Sequence, residues 1–236
     1  MNLTTANWLR IAAWSLAAVL PLVIISAVIA AAVNFPPLYE YGFNRYNVTQ
    51  TTGLESAELT KAARDLTAYF NSGEEYIDLV VVKDGQNFTL FNEREIIHLY
   101  DVKELIRLDY RVLTAGLGYS ALVIGLLYFR RRKGLLAAPS FWGGALTLAV
   151  VTAMGIAAAI DFNAFFTRFH LISFTNDFWL LDPSTDYLIM LFPGGFWRDA
   201  AVFVGLGIGG LAAAVALVGW RGLGHQSVVK NSGDKQ

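Results

Sequence analysis

Four stretches of the chain hold no charged residue: 11–33, 112–129, 134–160 and 200–220. A helix rises about 1.5 Å per residue and the hydrocarbon core of a bilayer is about 30 Å thick, so each stretch can cross a membrane. In lipid the backbone must satisfy its own hydrogen bonds, which makes helix the expected state. Gly143, Gly144, Gly155, Gly205, Gly207, Gly209 and Gly210 recur in the last two stretches. Small residues let helices approach closely, so these two spans are predicted to pack together.

Between the spans the pattern changes. Residues 56–71 place Leu59, Ala62, Ala63, Leu66 and Phe70 on one helical stripe, with Gly73 as the expected stop. Residues 76–82 and 87–91 flank Lys83-Asp84-Gly85-Gln86, which predicts a β-hairpin turning at Asp-Gly. Residues 93–108 read as an amphipathic helix running into the second span. Residues 162–179 concentrate Phe162, Phe165, Phe166, Phe169, Phe174, Phe178 and Trp179. Such aromatics collect at membrane–water boundaries, so an interfacial helix or re-entrant stretch is predicted there, ended by Pro183. Residues 188–192 return toward the fourth span, with Pro193-Gly194-Gly195 as a second break.

Composition agrees with a membrane protein. Of 236 residues, 55% are hydrophobic and 16% charged, and mean hydropathy is +0.46. Soluble domains carry about 45–50% apolar and about 25% charged residues. The absence of cysteine excludes disulfides, thiolate metal sites, iron–sulfur clusters and a cysteine nucleophile. Arg130, Arg131, Arg132 and Lys133 mark the short loop between spans two and three as cytoplasmic. The inner segments then hold eight Lys/Arg against Asp234 alone, and the outer ones ten Lys/Arg against eighteen Asp/Glu.

The expected fold is therefore an all-α polytopic membrane protein. It has four transmembrane helices and a small α+β extracytoplasmic domain between helices 1 and 2. The division runs 1–33 (N-terminus and first span, a retained anchor), 34–111 (outer domain), 112–129, 130–134 (basic loop), 135–160, 161–199 (aromatic outer loop), 200–220 and 221–236 (polar, disordered tail). Both termini are expected in the cytoplasm of a bacterial plasma-membrane protein.

The candidate chemistry lies outside. His225 falls in the inner tail, whereas His98 and His170 occupy different outer segments. Each can exchange a proton near neutral pH, and together they form a candidate acid–base pair whose imidazoles must reach one reacting group. The alternative is that each is an amphipathic boundary residue with a hydrogen-bonded tip. Asp101 follows His98 by one helical turn and can orient its ring, or can sit in an exposed ion pair near Lys103 and Glu104. Asp182 and Asp186, separated by Pro183, are favoured as turn and cap residues. Arg45, within Tyr41-Gly42-Phe43-Asn44-Arg45-Tyr46, is the cation best placed to meet a lipid or carbonyl oxygen; the alternative is a structural link to an acidic neighbour. There is no nucleophile elbow, HExxH, P-loop or Rossmann fingerprint. No metal and no cofactor is expected, nor a nucleic-acid partner.

Three strings carry a resemblance: YGFNRYNVTQTTGLESAELTKAARDLTAYFN (41–71), LFNEREIIHLYDVKELI (90–106) and FTRFHLISFTNDFWLLDPSTDYLIMLFPGGF (166–196). The chain resembles the bacterial lipoprotein intramolecular transacylase (Lit) family and the four-span membrane proteins grouped with it. The resemblance implies an acyltransferase whose partner is a diacylated lipoprotein left with a free α-amine by signal peptidase II. It moves the sn-2 acyl chain of the diacylglyceryl-cysteine to that amine, giving a lyso-form lipoprotein. The two functional histidines of the family carry over onto His98 and His170. Tyr41, Asn44, Arg45, Asp101, Asn176, Trp179 and Asp182 are the expected supporting or substrate-binding residues, in a monomer surrounded by membrane lipids. Two other classes stand beside it: a non-enzymatic module that senses or binds an envelope ligand, and an acyltransferase or hydrolase acting on another lipid.

Overall fold

The structure, a computed structural model, describes residues 3–233. Its helices are α1 (Leu3–Val33), α2 (Pro36–Arg45), α3 (Val48–Thr52), α4 (Ser56–Phe70), α5 (Glu93–Phe129), α6 (Ala137–Ile160), α7 (Phe162–Ser173), α8 (Tyr187–Leu191) and α9 (Gly194–Gly233). Strands β1 (Val80–Lys83) and β2 (Gln86–Thr89) form one antiparallel pair. Four helical stretches are long and apolar enough to cross a membrane: Asn7–Val33, Glu93–Phe129, Lys133–Ile160 and Gly194–His225. The chain divides into two compact units.

The first unit contains residues 3–28, 110–156 and 205–233, and holds most of the charge-free windows of the four long helices. Leu9, Ala13 and Leu16 of α1 bury against Val123 and Leu127 of α5. Beside them the hydroxyls of Ser15 and Tyr119 share a 2.6 Å hydrogen bond. The third and fourth spans do pack closely, but through only some of the predicted glycines. A Cβ on Gly144 would lie 2.6 Å from Ala212 O, and one on Gly219 would lie 2.3 Å from Phe141 N. Gly155, Gly209 and Gly210 face open space, and Gly143 and Gly207 approach α1 instead.

The second unit contains residues 29–109 and 157–204. This unit is not built from 29–109 alone, because 157–204 supplies part of its core. The α4 stripe is buried as predicted, and Leu188, Leu191, Phe192 and Phe196 are buried in the same unit. Apolar surface of 34–111 that would be marginal in so small a domain finds its cover there. The hairpin forms with Lys83 opposite Gln86, and Asp84 and Gly85 take φ of 53° and 76°. Two positive φ values are what a two-residue type I′ turn requires.

Several boundaries differ from expectation. Helix α4 ends at an Asn71 cap, and Gly73 does not take a left-handed conformation. Helix α7 ends at Ser173, well before Pro183. The break expected at Pro193-Gly194-Gly195 is present: α8 closes at Leu191 and α9 opens at Gly194, with proline just ahead of its first turn. The tail beyond Trp220 continues as helix to Gly233, while Asp234 and Lys235 lie outside the described residues.

Candidate active site

His98 is set by the start of α5. Asn92 and Glu95 form a reciprocal cap: Glu95 N–H donates to Asn92 Oδ1 at 3.1 Å, and Asn92 N–H donates to Glu95 Oε2 at 2.8 Å. The other Glu95 oxygen accepts the Leu188 N–H at 2.6 Å, which docks the start of α8 on the same turn. Glu95 is 1% exposed, and burial pushes its carboxyl up, partly offset by the N–H groups aimed at it. His98 follows one turn later, 7% exposed, and its Nδ1 is buried without a hydrogen-bond partner.

His170 comes from α7, whose N-cap Asp161 accepts a hydrogen bond from Ala164 N–H. Phe162, Phe166 and His170 recur every four residues along one face, the first two stacked and the Phe166 and His170 rings meeting edge to face. His170 is 6% exposed, whereas the adjoining Leu171 and Ile172 are 64% and 87% exposed. Rings of Phe166, Phe169, Phe174 and Trp179 surround its imidazole at 4.4, 5.3, 5.6 and 4.8 Å between centroids. Much of the aromatic run therefore closes around this histidine instead of forming only an outward belt.

The two imidazoles meet at 5.9 Å between centroids, tilted by 34°. Phe174 lies against both, 5.2 Å from His98 and 5.6 Å from His170. Both histidines lie outside the charge-free windows. Burial lowers the pKa of His98 to about 4, with a further push from His170. Burial also lowers His170, against the opposing pull of the Phe166 carbonyl. Both rings are neutral at pH 7. His170 Nδ1 sits 2.8 Å from Phe166 O. A carbonyl can only accept, so Nδ1 carries the proton and Nε2 keeps its lone pair.

The segment after α7 is fastened to the His98 face of α5. Asn176 Nδ2 donates to Asp101 Oδ2 at 2.8 Å. Arg94, one turn before His98, donates to the Asp177 carbonyl and lies over the Phe178 ring. Trp179 Nε1 donates to Asn176 O at 3.0 Å, which holds the indole against His170. Asp101 thus neither orients the His98 ring nor enters an ion pair, because its bonded partner is Asn176. An open cleft of about 290 Å³ runs beside the pair, with Asp101, Glu104, Leu105 and Leu108 on one side and Phe174 and Asn176 on the other.

The remaining candidates stand apart. Asp182 is a turn residue, accepting from Ser184 N–H at 2.8 Å and Ser184 Oγ at 2.6 Å, and those bonds hold its carboxyl low. Asp186, buried, accepts from Asn92 Nδ2 and Asp182 N–H. Tyr41 and Tyr46 both donate to Asp199 Oδ2, at 3.0 and 2.7 Å. Asn44 and Arg45 are exposed, Arg45 lying over the Tyr46 ring. None of Tyr41, Asn44 and Arg45 makes a hydrogen bond, ion pair or ring contact with either histidine among the described residues. Sequence reasoning missed Phe174 as the shared wall of the pair, and Glu95, although Asn92-x-x-Glu95 is a legible capping signature. It also missed Arg94, for which one turn of spacing from His98 was the only signal. Among the described residues no group of three or more His, Asp or Glu is arranged to hold a metal.

Residues 14–197 match the family model described as lipoprotein intramolecular transacylase Lit. An uncharacterized protein of Aquifex aeolicus is 26% identical over 190 residues, covering 77% of this chain and 82% of that one. The in meso structure of the membrane integral lipoprotein intramolecular transacylase Lit from Bacillus cereus superposes with a TM-score of 0.81 at 21% identity, over 94% of this chain and 99% of that one. A variant of the same protein, with one histidine replaced by arginine, gives 0.75 at 20% identity over 96% of each chain.

Proposed function

The chain belongs to the lipoprotein intramolecular transacylase (Lit) family of acyltransferases, and from that premise we propose that His98 and His170 move an acyl chain within a diacylglyceryl-cysteine lipoprotein. The sn-2 ester is the donor and the α-amine of the same cysteine is the acceptor. The single observation that supports this reading best is the pair itself: two buried imidazoles 5.9 Å apart, brought together from segments distant in the chain.

The amine nitrogen attacks the ester carbonyl carbon. An N–C bond forms, the ester C–O bond breaks, and the products are an amide and a free sn-2 hydroxyl. Counted from the ammonium, nitrogen loses two protons; one ends on the sn-2 oxygen and one is released. His170 Nε2 has the lone pair to take the proton from nitrogen as the tetrahedral intermediate forms, and can hand it to the departing oxygen. His98 faces it as a neutral donor to the developing oxyanion, a role that puts no full charge into an apolar pocket. Donor and acceptor occupy one substrate molecule, so holding both groups in reach supplies a large part of the acceleration. Both termini and the basic loop are assigned to the cytoplasm and the histidine pair to the outer face of the membrane.

Expression of the chain in a bacterium that accumulates diacylated lipoproteins tests the reading. Mass spectrometry of the lipoproteins should show conversion to the lyso form. Unchanged lipoproteins, or deacylation of another lipid instead, would overturn it.

A further inference from the structure

The cleft beside the histidines is not used by the steps above, which concern only the ester and the nitrogen. Its two sides differ in chemistry. From α5 it receives the carboxylates of Asp101 and Glu104 and the side chains of Leu105 and Leu108; the opposite side presents Phe174 and Asn176. Neither histidine lines the cleft, but Phe174 is at once its wall and the ring that lies against both imidazoles, so the cleft and the pair adjoin across one side chain within one unit. Asp101 spends Oδ2 on Asn176, and no protein hydrogen bond reaches its Oδ1 among the described residues. Glu104 pairs with Arg107 through Oε1. His98, one turn from Asp101, carries the buried and unpartnered Nδ1.

We infer that this cleft is the subsite for the polypeptide end of the lipoprotein: the α-amine and the residue that follows the lipidated cysteine. The inference rests on the transacylase reading and adds to it the recognition of the peptide. An amine in either protonation state has at least two N–H bonds. One can donate to Asp101 Oδ1 while the nitrogen turns toward the pair. The next residue then lies over Leu105 and Leu108 with Glu104 at its side. An acyl chain is a poorer occupant, since it gains nothing from two carboxylates that border the space. The acidic rim also gives the enzyme a preference it would not otherwise have: a basic residue after the cysteine is favoured and an acidic one disfavoured.

The test uses the purified full chain and two synthetic diacylated lipopeptides, identical except for lysine or aspartate after the cysteine. Wild type should convert the lysine peptide with the higher kcat/KM, by up to about fivefold, the range that one partly exposed ion pair spans. Glu104→Gln should erase that preference by changing KM and leaving kcat near wild type, and Asp101→Asn should raise KM for both peptides. Asp65→Asn removes the same charge from an exposed pair with Lys61 in the same unit and should change nothing. If wild type converts both peptides equally, or if both cleft variants keep its preference and its KM, the inference is overturned. A loss of kcat alone in Asp101→Asn, with the preference intact in Glu104→Gln, overturns it as well, since that pattern belongs to the Asn176 link. If wild type converts neither peptide, it is the transacylase reading that fails.

Discussion

His170 gives its Nδ1 proton to the carbonyl of Phe166, one turn back on its own helix, at 2.8 Å. The bond occupies Nδ1 and leaves the lone pair on Nε2, the nitrogen proposed above as the base. His170→Gln keeps a polar tip but cannot exchange a proton near neutral pH, and the same holds for His98→Gln. His170→Gln should lower conversion of diacylated lipoprotein by about 10²–10⁴; His98→Gln keeps an N–H but not the position of the ring donor, and should cost at most the roughly 10²–10³ of a lost oxyanion donor, with thermal unfolding of both in detergent near wild type. The double variant should lose far less than the product of the single losses, because groups acting as a unit are not additive. Full activity in either single variant would remove that histidine from the mechanism.

The pH dependence has a definite sign. The pKa of His98 falls from its ordinary 6.5 to about 4 on folding. Between those values the unfolded chain binds more protons than the folded one. This contribution to stability is therefore complete above about pH 6.5 and is lost as pH falls toward about 4. His170 is shifted in the same direction. Unfolding temperature measured at pH 7.5, 6 and 5 should drop more steeply for wild type than for His98→Gln. Activity should show no acid limb near 6.5, and should instead rise toward about pH 8 as the α-amine of the substrate loses its proton. A limb at 6.5 that disappears in His98→Gln would contradict a buried neutral His98.

Within the first unit, Gly144→Ala puts a methyl group 2.6 Å from Ala212 O and 2.7 Å from Ala216 N, and these are backbone atoms that cannot swing aside. Overpacking of this kind costs about 1–3 kcal/mol. Gly155→Ala enters open space and should be neutral or mildly stabilising, since alanine is favoured over glycine by about 1 kcal/mol in a helix. Thermal unfolding of the two variants in one detergent checks the contrast. Equal stabilities would dismiss the close α6–α9 approach.

Topology is tested by reporter fusions after residue 75, in the connection between α4 and β1, and after residue 136, at the end of the short 3₁₀ turn Lys133–Leu136. The first should report the outside and the second the cytoplasm. The same readout at both positions would reject the assigned orientation.

What is legible in the sequence is what local composition decides. A run without charge reads as a span, the 59/62/63/66/70 spacing as a buried stripe, and Asp84-Gly85 as a hairpin turn. Helix α2 escapes such a reading, although Pro36 and Pro37 occupy its first turn, where proline fits best. Spacing can suggest that His98 and His170 meet but cannot establish it, because the meeting depends on contacts between distant segments. Glu95 joining Leu188 and Asn176 joining Asp101 are of that kind. Asp199 reads only as the edge of a charge-free run, and its two phenol donors come from far upstream. The polarity of the tail beyond Trp220 suggests disorder, yet a helix already under way continues through it to Gly233.

The second unit is written in two places in the chain, 29–109 and 157–204, and that division imposes an order on its synthesis. A ribosome that has just released Glu95 and His98 has yet to make the Leu188 amide, the Phe174 ring and the opposing imidazole. Two hydrophobic helices must be threaded before those arrive. During that interval the nascent protein carries one imidazole of the pair without the other, and the Glu95 carboxylate lacks its Leu188 donor. The chemistry proposed for the pair must therefore wait until residue 188 of 236 has been made.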